Sequence, residues 1–304
     1  MKIAVASHIA LDTIQDMKGR VTESLGGPAC YCSLTAREFK FKIQLATKVG
    51  KDFSQDSRLK LRNNGINIED THITGSPTTR FRIILKKESR ELFLLSKCSP
   101  ITIDDIKEIE TDCWIVSPVI DEIPYSVFKE IVNDNDNVEF VMLDPQGYIR
   151  TTTPPDGRIS VLNDLKMDIS GISAIKVDPQ ELFALTGGRK GIEGMQFLQV
   201  CKGIKFVIST EYRIIHLLHD KMHYWIKLPQ VDTPYSTGIG DILSSAFCCA
   251  YMKEKDPVWA ICFGAGAVRA ALETNLEGLD KIPSKSKMEQ SASYYYNTIS
   301  FQKI

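Results

Sequence analysis

The run Ser236-Thr237-Gly238-Ile239-Gly240-Asp241 sets two glycines, one residue apart, directly before a carboxylate, and it leads into Ile242-Leu243-Ser244-Ser245-Ala246-Phe247-Cys248-Cys249-Ala250. Apolar residues after Asp241 recur at helical spacing, so a glycine turn opens a helix. The first amides of a helix lack an internal partner and carry roughly half a unit of positive charge, which makes this turn an anion site. A carboxylate there would repel a bound phosphate unless it took the proton from a hydroxyl attacking that phosphate. These residue types in this order point to phosphoryl transfer, with Asp241 as base and the amides of Gly238, Ile239 and Gly240 as anion hole. An Asp that only caps its helix is the alternative.

The elements that must position these groups read as α/β. A strand over 3–6, the turn Gly26-Gly27-Pro28, a helix over 29–38 and a strand over 43–47 open the chain. Helices over 104–111, 124–132 and 179–185 then alternate with strands over 113–116, 138–143, 174–177 and 206–209. Such alternation predicts a mostly parallel sheet covered on both faces, with ligands at the carboxyl ends of its strands. Two segments break the rhythm. Residues 12–25 are polar and alternating, and within 71–95 the period-two runs Phe81–Leu85 and Glu91–Leu95 flank a polar turn, Lys86–Arg90. They predict a small antiparallel lid on one domain spanning 1–304. Phe81, Ile83, Leu85, Leu92 and Leu94 are more apolar side chains than one small sheet hides, which predicts a homodimer formed through the lid.

Composition excludes several classes. In a chain of 304 residues, 43% hydrophobic and 25% charged, a formal net charge of −1 without a basic cluster argues against nucleic acid as a partner. No apolar run reaches the roughly 18 residues of a membrane span, and the N-terminus reads as a strand rather than a signal peptide, so the expected location is cytoplasmic. Eight cysteines lie in apolar segments with no Cys-x-x-Cys, including Cys30-x-Cys32 and Cys248-Cys249, and read as reduced core residues rather than metal ligands. There is no Gly-x-x-x-x-Gly-Lys-Ser/Thr, and no Gly-x-Gly-x-x-Gly follows the first strand, which sets aside P-loop and dinucleotide-binding folds.

The 237–241 segment resembles the second signature of the ribokinase-like (PfkB) family of small-molecule kinases, Asp-Thr-x-Gly-Ala-Gly-Asp at a helix start late in the chain. The resemblance spans nearly the whole sequence and implies a three-layer α/β/α sandwich with a β-lid, using ATP and Mg2+. Gly26 and Gly27 resemble a glycine pair that lies against the phosphoryl acceptor. Four residues on, the family usually has Asn and this chain has Tyr31; Gly-Gly-Pro-Ala-x-Tyr is similar to the inositol-kinase-like branch. Asp12 lies where the family places an Asp on the acceptor's hydroxyls. Gln146 and Arg150 match in part an Asp-x-Asn-x-Arg type segment. Asp178-Pro179-Gln180-Glu181 resembles Asn-x-x-Glu, whose Glu helps hold magnesium, largely through water, so Asp178 and Glu181 are the implied metal residues. Lys176, Ser209, Thr237, Gly238, Gly240 and Gly264 are the implied ATP side, although Ser209–Ile214 lacks both glycines of the family's Thr-x-Gly-x-x-Gly.

The implied reaction moves the γ-phosphoryl group of ATP to an alcohol of a sugar or polyol. Inositol or another neutral polyol comes first. A sugar acid would be met by Arg150 or by Arg80, Arg82 or Arg90 of the lid, a nucleoside would stack on Tyr31, and a fructose phosphate is a further acceptor. The missing glycines after Ser209, and Ser236 in place of the signature's earlier Asp, motivate the alternative of a non-catalytic sugar or nucleotide sensor on the same fold.

Overall fold

A computed structural model describes residues 1–304 except 88, 135–137 and 234. Its strands in chain order are β1 (Lys2–Ala6), β2 (Ala10–Gln15), β3 (Val21–Gly26), β4 (Lys42–Ala46), β5 (Val49–Gly50), β6 (Ile73–Thr74), β7 (Thr79–Leu85) and β8 (Arg90–Ser96). There follow β9 (Cys113–Val116), β10 (Phe140–Leu143), β11 (Arg150–Thr153), β12 (Arg158–Val161), β13 (Ala174–Val177), β14 (Phe206–Glu211), β15 (Ile214–His219), β16 (Met222–Lys227) and β17 (Ser300–Lys303). The helices are α1 (Pro28–Glu38), α2 (Gln55–Asn63), α3 (Tyr125–Asn133), the single turn α4 (Gln146–Ile149), α5 (Pro179–Leu185), α6 (Gly191–Lys202), α7 (Ile239–Glu254), α8 (Pro257–Glu273) and α9 (Lys285–Tyr296).

A nine-stranded sheet in the order β17-β16-β15-β14-β13-β10-β9-β1-β4 forms the centre. It is parallel from β4 to β14 and antiparallel beyond. Side chains alternate across a strand, so each buried strand feeds two cores. Ile3, Val5, Ile115 and Met142 pack on one face beneath α1, α7, α8 and α9. Ala4, Ala6, Val116 and Leu143 pack on the other, beneath α3, α5 and α6. This is the expected three-layer sandwich. Ala6, Val116, Leu143 and Ile175 lie in one row across the register, so the loops that follow their strands emerge along one edge.

The second sheet runs β11-β12-β8-β7-β2-β3. It is antiparallel except for the parallel pair β2 and β7, and it includes β11 and β12, which the sequence pattern did not assign to it. Lys86 N donates to the Ser89 carbonyl at 2.9 Å in the turn between β7 and β8; Glu88 of that turn lies outside the described residues. Phe81 and Ile83 are buried against Val119 and Ile120, and Leu85, Leu92 and Leu94 pack partly buried onto the same cluster. The surplus of apolar surface that motivated a lid-mediated dimer is thus largely hidden within one chain.

Two further expectations change. The helix over 104–111 is a 3-10 turn at Ile103–Asp105 with a second i to i+3 bond, Ile109 N to the Ile106 carbonyl. Ile103, Ile106 and Ile109 recur every three residues, which suits three residues per turn. The last twenty residues, unassigned from sequence, supply α9 and the edge strand β17. All cysteines are free and all but Cys201 are buried; among the described residues no group of side chains suits a metal ion and no helix is long and apolar enough to cross a membrane.

Candidate active site

Gly238 caps α7 in the left-handed conformation, φ 81° and ψ 0°. A Cβ there would lie 2.5 Å from the Tyr31 ring, so both backbone angle and space demand glycine. Gly240 differs. It is helical, and its missing Cβ faces the Lys176 Nζ at 3.3 Å, so the need for glycine at 240 is one of space rather than of backbone angle. Ile239 N reaches the Ser236 carbonyl at 3.4 Å, closing the turn that enters α7.

One cleft between the two sheets is lined by Asp12, Gly27, Tyr31, Gln146, Arg150, Thr237, Gly238 and Asp241, residues drawn from four separate stretches of the chain. Arg90, from the start of β8, completes it together with the apolar Phe81, Ile83 and Leu92. Gly27 holds φ 84°, and a Cβ on it would stand 2.6 Å from the His8 carbonyl oxygen; at Gly26 a Cβ would overlap the Asp12 carboxylate. The glycine pair therefore lets Asp12 lie against the start of α1. Gln146 links two of the cleft's charged groups: its Nε2 is 3.4 Å from Asp241 Oδ1, and its Oε1 accepts from Arg150 Nη2 at 2.7 Å. Arg150 Nη1 donates to the Val119 carbonyl at 2.9 Å, which fixes the guanidinium, and among the described residues no carboxylate forms a salt bridge with it.

Both cleft carboxylates are buried. Burial pushes Asp241 up to about 7, and the neighbouring Asp144 adds to it against Lys176, Arg150 and Arg90. Asp12 is pushed up to about 7 by burial, with Arg90 and Arg150 opposing. A carboxylate in this range can exchange a proton near neutrality.

Lys176 lies behind the anion turn, its Nζ 2.7 Å from Asp144 Oδ2 and 3.9 Å from Glu181 Oε2. Burial opposes its charge, but Asp144 and Glu181 outweigh that and hold the ammonium above its ordinary pKa. Glu181 is raised by burial against the pull of Lys176. Asp178 and Glu181, the implied metal residues, form a capping box on α5: Asp178 Oδ1 accepts from the amides of Gln180 and Glu181 at 2.8 Å, and Glu181 Oε2 from Asp178 N at 2.7 Å. With one carboxylate capping and the other facing an ammonium, this donor set does not fit a directly coordinated magnesium ion. Removing the cation should be costly. Lys176→Met leaves Asp144 and Glu181 buried without it, and we expect a loss of about 3–5 kcal/mol, visible as a lowered Tm; an unchanged melting curve would show that the pair contributes nothing.

The other implied nucleotide residues are dispersed. Ser209, in β14, opens onto a neighbouring cleft with Glu211, Gln180, Phe183 and Lys190. Gly264 is buried where α8 crosses α7; a Cβ would meet Leu243 Cδ1 at 2.7 Å. Its smallness serves helix packing. Residues 211–214 form a tight hairpin turn between β14 and β15, with Tyr212 at φ 53°. Sequence reasoning passed over Asp144 and Phe81 as site residues; Asp144 directly follows the strand over 138–143, which is the signal that could have found it.

No protein-family model matches the chain. Among curated proteins it is similar to a cytidine kinase of Thermococcus kodakarensis, 20% identical over 283 residues, covering 90% of this chain and 96% of that one. Among solved structures, a pyrophosphate-dependent kinase in the ribokinase family, complexed with a pyrophosphate analog and myo-inositol, superposes with a TM-score of 0.79 at 22% identity, covering 95% of this chain and 99% of the other. The chain has the ribokinase fold. A ribokinase of Arabidopsis thaliana complexed with ribose and ATP shares it with a TM-score of 0.71 at 16% identity, over 96% and 98% of the two chains. In this ribokinase fold the cleft between central sheet and second sheet lies at the carboxyl ends of β1, β9 and β10, where open α/β sheets bind ligands.

Proposed function

We propose that the chain is a kinase that transfers a phosphoryl group to an alcohol of a small polyol or sugar. The observation that carries this reading is the buried Asp241 in the first turn of α7, in the same cleft as Asp12, Gln146 and Arg150. Asp12 accepts acceptor hydroxyls, Gln146 and Arg150 orient the remainder of the acceptor, and Tyr31 walls the cleft. Asp241 takes the proton of the attacking hydroxyl as its oxygen bonds to phosphorus and the bond from phosphorus to the leaving oxygen breaks. The amides of Gly238 and Gly240 and the ammonium of Lys176 stabilise the charge on the phosphoryl oxygens. The second sheet, bearing Phe81, Ile83 and Leu92, keeps water out of the cleft.

Our first reading of the donor is ATP. The buried Gly264 and the glycine-free hairpin at 211–214 favour a second one, pyrophosphate, which needs no adenine pocket. Its products would be the phosphorylated alcohol and orthophosphate. For the acceptor, a neutral polyol suits Asp12, while Arg90 beside Arg150 favours a sugar acid over a nucleoside. Incubating the protein with each donor and a panel of polyols, sugars, sugar acids and nucleosides, and measuring ADP or orthophosphate release together with the phosphorylated product, tests the reading. A panel that yields no product with either donor, while acceptors still bind, would favour a sensor.

The reading sets a pH dependence. Asp241 must be ionised to accept a proton, and its pKa stands near 7. Turnover is therefore expected to fall below about pH 7, roughly tenfold per unit once the group is protonated. Asp12→Asn, which removes the other raised carboxylate, should keep that limb. A flat profile between about pH 5.5 and 8 would exclude Asp241 as the titrating base.

A further inference from the structure

Lys281 ends a short 3-10 turn, Gly278–Lys281, about forty residues beyond the anion turn, and is 1% exposed. Its Nζ donates to the carbonyl oxygens of Tyr235 at 2.8 Å and Thr237 at 2.9 Å, and stands 5.9 Å from the centroid of the Tyr31 ring. No carboxylate pairs with it among the described residues; the adjacent Asp280 faces Lys60. A buried ammonium is costly unless fully engaged, so its placement against the segment that enters α7 calls for a purpose.

In a planar trans peptide the carbonyl and the following N–H point in opposite directions. Pinning the Thr237 carbonyl from behind therefore fixes the direction of the Gly238 N–H, on the side where Thr237 and Gly238 line the cleft. We propose that Lys281 is a positioning residue, a built-in cation that orders residues 235–238 and aims the Gly238 amide at the donor phosphate. The amide's partner rests on the kinase reading above; the ordering of the segment does not. The charged groups that act on Lys281 are Glu277, which favours its charge, and Arg90, which opposes it. Burial, the largest influence, lowers its pKa to about 8. The segment should then loosen as the ammonium is lost above that pH.

Hydrogen exchange of the amides at 236–241 and calorimetric titration with inorganic pyrophosphate and with ATP test this. In Lys281→Met we expect exchange there to quicken by about tenfold or more and the tighter-binding donor to weaken similarly, the worth of a charge-assisted hydrogen bond, with β1 and β9 unaffected. Should that variant fail to fold, Lys281→Ala with and without methylammonium gives the same comparison, the amine restoring protection. In wild type the exchange at 236–241 should outpace its ordinary base catalysis above about pH 8, and in Lys281→Arg, which stays charged, it should not. Unchanged exchange and donor affinity in a folded Lys281→Met would overturn the proposal, as would an alkaline response shared by Lys281→Arg. A responsive segment without transfer of any phosphoryl group would sink the kinase reading and leave the positioning role standing.

Discussion

Asp241→Asn is expected to lower kcat by about 10²-fold or more while leaving acceptor and donor affinity close to wild type. Asn preserves the shape of the side chain and its contact with Gln146 Nε2, 3.4 Å away, but it cannot take a proton, so the loss falls on the chemical step. Fold retention can be checked independently. The wild-type carboxylate is buried and its pKa raised to about 7, so in the folded state it holds a proton more tightly than in the unfolded chain. Its ionisation therefore opposes folding as pH rises through that value. Asn removes the opposition, so the variant should melt no lower than wild type at pH 8 and lose that advantage near pH 4. Turnover within a few-fold of wild type would remove Asp241 from the base role, whichever donor is used.

Gly238→Ala should be the most damaging small substitution in the cleft. Its φ of 81° costs a non-glycine residue about 1–2 kcal/mol, and the new methyl would meet the Tyr31 ring at 2.5 Å, forcing either the ring or the anion turn to move. Displacing donor amides by about an ångström costs on the order of 10² in rate, so we expect transfer to fall at least that far with the overall fold kept. Gly240→Val provides the contrast. Its backbone is helical, so the protein should fold normally, and transfer should fail because the side chain crowds Lys176 and the approach of phosphate. Activity measured beside circular dichroism distinguishes the two; a Gly238→Ala enzyme with wild-type turnover would show that the turn does not hold the phosphate.

Much of the cleft was legible along the chain because its members sit at the ends of apolar runs. Gln146 follows β10 and Arg150 begins β11, and strands that pair in parallel deliver their carboxyl ends to one edge, whereas Asp12 lies within β2 of the second sheet. The period-two runs at 81–85 and 91–95 marked the second sheet for the same reason: alternation is a local property. The strands β11 and β12 were missed because Arg150–Thr153 and Arg158–Val161 are short and mostly exposed, and their pairing with β8 is a contact between distant segments. Asp178 and Glu181 are metal residues only by resemblance to Asn-x-x-Glu; an Asp three residues before a Glu at a helix start is also the pattern of a capping box, and the hydrogen bonds form that box on α5.

By itself the sequence determined the layers, the glycine turn before α7 and the carboxylate in the helix's first turn, since period, glycine spacing and helix start are written in neighbouring residues. Only the tertiary structure decided what each glycine is for. Gly238 needs its backbone angle, Gly240 and Gly26 yield space to Lys176 and Asp12, and Gly264 yields it to Leu243. It also decided which charges meet: Lys176 with Asp144 and Glu181, Arg90 with the cleft, Lys281 with the carbonyls behind Gly238. The physical reason is that burial and Coulomb interaction depend on distance in space, and a lysine separated along the chain from the loop it organises carries no local mark of that task.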